Sequence, residues 1–125
     1  MKKMIAGFLF ASLSAVSLNA KDIEGSYDVT GFDPYEKKSY TGTVEITKGA
    51  NDVYQAQWTL NLVPKSYKGT GLKNKDEVSF IYQASLPRER GEVGLQVYAI
   101  KGNKLEGRFV YADGSLIGNE TLTKK

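Results

Sequence analysis

"VYQAQWTLNL", residues 53–62, alternates between apolar and polar side chains along almost its whole length. The polar side chains are Gln, Gln, Thr and Asn, and the apolar ones share the opposite parity: Tyr54, Ala56, Trp58, Leu60 and Leu62. Because successive side chains of a β-strand point to opposite faces, this pattern predicts a strand with one dry and one wet face. Trp58 on the dry face is the only Trp of the chain.

The same two-residue period recurs from Lys21 to the C-terminus, in short runs rich in Val, Tyr, Phe, Ile and Thr. Gly, Asn, Asp and Pro separate these runs, which is typical of strands joined by turns. We predict eight strands, at about residues 23–31, 40–47, 53–62, 66–72, 77–84, 92–100, 104–111 and 116–123. The short connections favour an all-β, antiparallel up-and-down barrel, whose closure removes exposed edge strands. A two-sheet β-sandwich is the alternative.

The loops of such a meander fall into two groups, because alternate loops lie at the same end. "KGAND", "KNKD" and "KGNK" are tight turns rich in Gly, Asn and Asp, and both chain termini should lie at their end. The opposite end contains all three prolines, Pro34, Pro64 and Pro87. We expect any cavity to open at this proline-bearing end.

Glycines occur inside the predicted strands, where they normally weaken a sheet. In small barrels they permit sharp bending and close approach of strands, and the alternative is that several mark β-bulges. The glycines in question are Gly25, Gly42, Gly69, Gly71, Gly94, Gly107 and Gly118.

Residues 1–20 have the pattern of a secretory signal peptide. Lys2 and Lys3 form a positive n-region, an uncharged and mostly apolar run follows, and Ala20 ends the segment with a small residue suited to signal peptidase. The apolar run is too short for a membrane anchor, and no Cys follows it for lipid attachment. We therefore expect a single β-barrel domain at 21–125, periplasmic or secreted, without a transmembrane segment.

The composition excludes several classes of function. Removal of Lys2 and Lys3 leaves 15 basic and 14 acidic residues, a net charge of +1 instead of +3, which gives no case for a nucleic-acid partner. The chain has neither Cys nor His. It therefore lacks the usual zinc ligands and has no Ser-His or Cys-His nucleophile pair. We expect no metal, no cofactor and no disulfide.

Nothing in the sequence indicates an enzyme. The acidic residues are scattered among strand starts, turns and outward positions, without an evident carboxylate pair for glycoside hydrolysis. There is also no calcium-binding loop and no Gly-rich phosphate loop. We predict a protein that acts by binding.

The more apolar face of each predicted strand should point into the barrel. The sixth strand is ambiguous, because Val93, Leu95 and Val97 lie on one face whereas Tyr98 and Ile100 lie on the other. We take the first of these faces as the inward one. An eight-stranded barrel is just wide enough to fill itself with side chains or to hold one small ligand.

Aromatic side chains on the inward faces are the candidates for lining a ligand cavity. Their alternative role is simply to form a filled core, since aromatic residues at strand spacing are often core residues. The candidate ligand-binding residues are Tyr27, Tyr54, Trp58, Phe80 and Tyr82. The ligand expected for such a cavity is a small apolar or amphipathic molecule.

Glu120 shares its parity with Leu116 and Leu122, which points its carboxyl group inward. An inward carboxylate needs a cation or several hydrogen-bond donors. Lys68 is a candidate partner, whereas Arg108 has the parity of an outward residue. The alternative, which we weigh more heavily, is that Glu120 reaches water at the strand end.

"EGSYDV", residues 24–29, opens the first predicted strand. With the length, the export signal and the eight strands, it resembles the calycin superfamily, which contains lipocalins, fatty-acid-binding proteins and avidins. Lipocalins and avidins characteristically carry Gly-x-Trp in this strand, and that Trp plugs the closed end of the barrel. Gly25-Ser26-Tyr27 occupies the matching place, with Tyr instead of Trp. The resemblance implies capture of a small hydrophobic ligand at the open end.

A second function class is interaction with another protein through the loops, as an adhesin, a host-matrix-binding factor or an inhibitor. "PRERGE" (87–92) and "DPYEKKSY" (33–40) are charged and contain proline, as binding loops often do. The candidate interaction residues are Tyr35, Arg88 and Arg90. Ordinary solvated loops have the same composition, so both interpretations remain open.

Lysines concentrate in the tight turns, which suggests a third possibility, attraction to an anionic surface. Lysines in turns also serve solubility alone, and we favour that interpretation. The residues concerned are Lys48, Lys73, Lys75, Lys101 and Lys104, with Lys124 and Lys125 nearby.

Overall fold

The computed structural model describes residues 22–62, 65–85 and 93–125. These residues form the eight predicted strands, each bounded within two residues of its expected ends. The strands are β1 (Gly25–Asp33), β2 (Lys38–Lys48), β3 (Val53–Leu60), β4 (Ser66–Asn74), β5 (Glu77–Ala84), β6 (Val93–Lys101), β7 (Lys104–Tyr111) and β8 (Gly118–Lys124). A 3-10 turn at Ala50–Asp52 joins β2 to β3.

The sheet closes into an up-and-down antiparallel barrel in the strand order β1 to β8. Closure comes from the pairing of the first and last strands, in a register that runs from Tyr27 opposite Lys124 to Phe32 opposite Asn119. The barrel prediction is therefore confirmed, and the two-sheet sandwich is excluded. Within the described ranges, no helix has the length and apolar character needed to cross a membrane.

The half of the barrel nearest the chain termini is filled. Ile23 lies across this end, and the buried hydroxyl of Tyr27 donates a hydrogen bond of 2.7 Å to its carbonyl oxygen. Burial raises the pKa of Tyr27 to about 12, and the Lys124 ammonium lies 5.9 Å from the centre of its ring. The remaining side chains packed in this half include Val29, Val44, Ile46, Tyr54, Ala56, Val78, Phe80, Leu105 and Leu122.

Two of the lysines at the tight turns form local ion pairs. Lys48 lies 3.3 Å from Asp52, and Lys101 lies 3.1 Å from Glu106. These contacts connect residues of neighbouring strands or of the turn itself. Binding of an anionic surface stays a prediction.

The inward face of β6 differs from the expected one. Gln96 and Tyr98 are buried, whereas Val93 and Leu95 are each 44% exposed, so the assignment of the Val and Leu face to the interior is wrong. Hydropathy misleads here because the Tyr98 ring and hydroxyl find partners inside the barrel, whereas Leu95 pairs with the exposed Ile81 on the outer wall. The inward assignment of Leu116 is also wrong, since it precedes β8 and is 47% exposed.

Inward glycines make room for rings on the neighbouring strand. Each strand pairing advances one residue against one residue across its described register, so the β-bulge interpretation of these glycines is wrong. A ring instead covers the bare backbone, a known way to stabilise glycine in sheets. The ring and glycine pairs are Tyr40 with Gly31, Trp58 with Gly69, Phe80 with Gly71, Tyr82 with Gly94, Tyr98 with Gly107 and Phe109 with Gly118.

Substitution of Gly71 by alanine tests this packing. A Cβ at this position would lie 2.5 Å from the Ser79 carbonyl oxygen and 2.6 Å from Cδ1 of Phe80. Because backbone and a buried ring cannot both move away, we expect Gly71→Ala to lower the free energy of unfolding by about 1–3 kcal/mol. Thermal unfolding should show a decrease in Tm of about 4–8 °C per kcal/mol for a domain of this size.

Gly49→Ala is the matched control, since the nearest atom to its added Cβ would be the Val53 carbonyl oxygen at 3.4 Å. It should leave Tm nearly unchanged. Equal losses in the two variants would contradict the role assigned to ring packing.

Candidate functional site

A pocket lies in the other half of the barrel, toward the connections β1–β2, β3–β4 and β7–β8. The space in this pocket that the centre of a water molecule can occupy is about 30 Å³. This is enough for about two waters. Its walls are aromatic, with two leucines and two polar side chains. The lining residues are Tyr40, Trp58, Leu60, Leu62, Tyr67, Tyr82, Gln96, Phe109, Tyr111 and Glu120.

Glu120 is the buried acid of this pocket, with 4% of its surface exposed. On β8 it pairs with Gly31 of β1 on one side and with Gly107 of β7 on the other. Both neighbours lack side chains, so the rings of Tyr40 and Tyr98 extend over them from the next strands. The prediction that Glu120 points inward is confirmed, and the alternative that it reaches water is wrong.

Three hydrogen bonds hold the Glu120 carboxyl group. The Tyr40 hydroxyl donates to Oε1 at 2.6 Å, and the Tyr98 hydroxyl donates to Oε2. The indole N–H of Trp58 donates to Oε2 at 3.0 Å and also lies 3.2 Å from the Tyr98 hydroxyl oxygen. The expected partner Lys68 is exposed, as a residue on the outer wall of β4. Glu120 is therefore held by neutral donors.

Burial sets the protonation of this cluster. It raises the pKa of Glu120, and the hydrogen bonds from Tyr40, Tyr98 and Trp58 offset that effect only in part. Burial, followed by the nearby Glu120 charge, raises the pKa of Tyr40 and of Tyr98 far above the usual range. Both tyrosines therefore keep their protons and remain donors.

Asp33 is the second buried carboxyl at this end, with 5% of its surface exposed. It accepts a hydrogen bond of 2.9 Å from the Tyr35 backbone N–H. Tyr111 also hydrogen-bonds to Asp33. The pKa of Tyr111 is raised by burial first and then by the Asp33 charge. The described part of the chain contains no group of three or more potential metal ligands.

Tyr82 contributes the one buried side-chain polar atom of the described residues that lacks a hydrogen-bond partner, its hydroxyl oxygen. The ring is 7% exposed and makes edge contacts with Tyr67 and Trp58, at 5.6 Å and 6.3 Å between ring centres. Burial raises the pKa of Tyr82, so the hydroxyl stays protonated. A buried hydroxyl in this state normally has a partner.

The structure divides the five predicted ligand-binding residues. Trp58 and Tyr82 line the pocket, whereas Tyr27, Tyr54 and Phe80 do not belong to its lining and pack in the filled part of the interior. Ligand binding itself stays a prediction for each of them. The five candidates did not include the other lining residues, although Glu120 was predicted to point inward: Tyr40, Leu60, Leu62, Tyr67, Gln96, Phe109, Tyr111 and Glu120. Their nearness in sequence to the connections of the proline-bearing end is the signal that would have found most of them.

Tyr35, one of the predicted interaction residues, has a structural role in this barrel. Its ring stacks on Tyr111 with 4.7 Å between the ring centres. Its hydroxyl oxygen accepts hydrogen bonds from the backbone N–H groups of Ser115 and Leu116, at 2.9 Å and 3.3 Å. It thus joins the β1–β2 connection to the β7–β8 connection. Arg88 and Arg90 lie outside the described residues, and their role stays a prediction.

The fold and the pocket define the class of this protein as a closed eight-stranded β-barrel with a polar cluster inside an aromatic pocket. Its fold is similar to a redesigned β-barrel, b11L5F_LGL, with a TM-score of 0.68 and 17% identity over 89% of this chain and 95% of that chain. It is also similar to a de novo designed fluorescence-activating β-barrel, with a TM-score of 0.54 and 16% identity over 85% and 96% of the two chains.

A third structure with the same fold is EF1p2_mFAP2b bound to DFHBI, with a TM-score of 0.60 and 11% identity over 90% of this chain and 100% of that chain. At these identities the similarity concerns the fold alone. No protein-family model and no curated protein matches the sequence.

Two phenylalanine substitutions separate the satisfied hydroxyl from the unsatisfied one. Tyr40→Phe removes a donor to the buried Glu120, and we expect it to lower the free energy of unfolding by about 1.5–3 kcal/mol. Tyr82→Phe removes a hydroxyl that has no partner, so it should leave the stability unchanged or raise it by about 1 kcal/mol. Urea unfolding followed by Trp58 fluorescence measures both. A loss from Tyr82→Phe as large as that from Tyr40→Phe would contradict this assignment.

Proposed function

We propose that this protein is an exported, non-catalytic binding protein that takes part of a small amphipathic molecule into the aromatic pocket. The observation that carries the proposal is a polar cluster around Glu120 inside an otherwise aromatic cavity. Ligand sites are commonly apolar concavities with a few well-placed polar groups. The designed barrels support the proposal, because one is described as fluorescence-activating and another is bound to DFHBI.

The size of the pocket limits what enters it. The centre of a water molecule can occupy about 30 Å³ of this pocket, so the pocket admits a group of a few heavy atoms. A larger ligand would insert one end and leave the rest toward the connections of the proline-bearing end. An amphipathic molecule with a small polar head fits this shape better than a long hydrocarbon chain does.

Binding accounts for the site better than catalysis. The Glu120 carboxyl group is occupied by three donors, and Asp33 accepts hydrogen bonds from the backbone of its own turn. Neither arrangement resembles a free acid and base facing one substrate atom. We therefore propose that the protein performs no chemistry on its ligand.

Membership of the calycin superfamily is part of the proposal. Gly25-Ser26-Tyr27 lies at the start of β1, and the buried Tyr27 contacts Ile23 at the filled end of the barrel. This is the place where the resemblance puts a plugging aromatic residue. The placement supports an open end opposite to Tyr27, where the pocket lies.

Export is tested by the processing of the full chain. We expect expression in a bacterium with a Sec pathway to deliver a product that begins at about Lys21, because residues 1–20 have the pattern of a signal peptide. N-terminal sequencing and intact mass of the periplasmic and culture fractions measure this directly. Replacement of Lys2 and Lys3 by glutamate should reduce processing. An unprocessed chain that stays in the cytoplasm would contradict export.

Ligand binding is tested by the fluorescence of Trp58, which is the only Trp of the chain and lines the pocket. We expect one class from a panel of apolar and amphipathic compounds to give a saturable shift or quench, because a ligand changes the surroundings of the indole. Leu105→Val, a change in the filled part of the interior at a residue outside the pocket lining, is the control and should retain that response. A blue-shifted emission that no compound alters would contradict the proposed function.

A further inference from the structure

The half of the barrel that holds the pocket has buried acids without buried cations. Glu120 and Asp33 are the buried acidic residues of the described chain, and every Lys and Arg in those ranges is at least partly exposed. None of the ion pairs formed by these residues includes Glu120. A buried carboxylate without a cation is unfavourable because it has lost its hydration. A positively charged ligand group would compensate for that loss.

Two acceptor atoms in the pocket have capacity for an additional donor. Oε1 of Glu120 accepts one hydrogen bond, from Tyr40, whereas Oε2 accepts two. A carboxylate oxygen offers about two acceptor positions, so Oε1 retains one. The buried Tyr82 hydroxyl lacks a partner among the described residues and can accept as well.

We infer that the ligand carries a small primary or secondary ammonium group, whose N–H groups donate to the Glu120 carboxylate and to the Tyr82 hydroxyl. This inference rests on the proposed function and specifies the chemistry of its ligand. The two acceptors require a group with at least two N–H donors or one N–H shared between them. An alkylammonium of a few heavy atoms can donate to both acceptors and fits the size of the pocket.

The surrounding rings favour a cation for an independent reason. Trp58, Tyr40 and Tyr67 line the same cavity as Glu120. Ring faces attract cations, most strongly in desolvated surroundings, and Trp and Tyr serve this purpose well. An anionic group would meet the Glu120 carboxylate, and the described residues supply no buried cation to balance it. The pocket therefore discriminates by charge as well as by size.

The test uses the indole N–H signal of Trp58 in a nitrogen–proton correlation spectrum of the protein. The signal is unique because the chain has one Trp, and Nε1 lies 3.0 Å from Oε2 of Glu120. Three probes of similar size are titrated at neutral pH and constant ionic strength: propylamine, 1-propanol and propionate. We expect a saturable shift with propylamine and none with 1-propanol or propionate.

Matched variants assign the effect to the two acceptors. Glu120→Gln should weaken propylamine binding about ten-fold, the equivalent of one charge-assisted hydrogen bond. Tyr82→Phe should weaken it several-fold, and it is expected to fold because its hydroxyl has no partner to lose. Glu106→Gln is the control, because it removes a carboxylate from the outer face of the neighbouring strand. It should leave binding unchanged.

The outcomes distinguish this inference from the proposed function. Equal saturable shifts from propylamine and 1-propanol, or a stronger response to propionate, would overturn the ammonium inference and leave a binding pocket in place. Unchanged propylamine binding in both Glu120→Gln and Tyr82→Phe would also overturn it. If the Trp58 signal does not change with these three probes but responds to another compound of the wider panel, only the ammonium inference is rejected. If the signal changes with no compound, the proposed function is rejected as well.

Discussion

The presence of an acid inside this barrel depends on the two glycines beside it. Gly31 and Gly107 occupy the positions directly opposite Glu120 on the neighbouring strands. Tyr40 and Tyr98 lie opposite those glycines one strand further out, and their rings cover them. A side chain at either glycine would block a ring from reaching the carboxyl group. The interior of the pocket is thus organised by a row of five residues across β2, β1, β8, β7 and β6.

The same relation of ring to glycine decides how the rest of the interior is filled. An eight-stranded barrel has little room, and several of its large rings lie where the neighbouring strand has a glycine. On the opposite wall of the barrel, Phe80 covers Gly71 and Trp58 covers Gly69. Toward the chain termini, aliphatic side chains complete the packing. Toward the proline-bearing end, most of the inward residues are aromatic, and the space between their rings forms the pocket.

The strands could be predicted from the sequence because their period of two is a local property, and β3 begins where the alternation of residues 53–62 does. The site is assembled from distant strands and was harder to predict. The inward parity of Glu120 was visible, but its partners Tyr40 and Trp58 are 80 and 62 residues away along the chain. Hydropathy also favoured the wrong face of β6, where Leu95 is exposed. Recognition of the glycines opposite an inward acid needs the strand register, which the pattern of a single strand does not contain.

The energetics of the pocket separate what folding requires from what binding requires. Three donors hold Glu120, yet a well-packed apolar side chain often serves stability at least as well as a buried charge does. A Phe at position 82 would keep the ring contacts of Tyr82 without burying an unpartnered hydroxyl. Glu120 and Tyr82 line the same small cavity. Burial of these two polar groups costs free energy. A ligand in this cavity that carries hydrogen-bond donors and a positive charge would compensate for that cost.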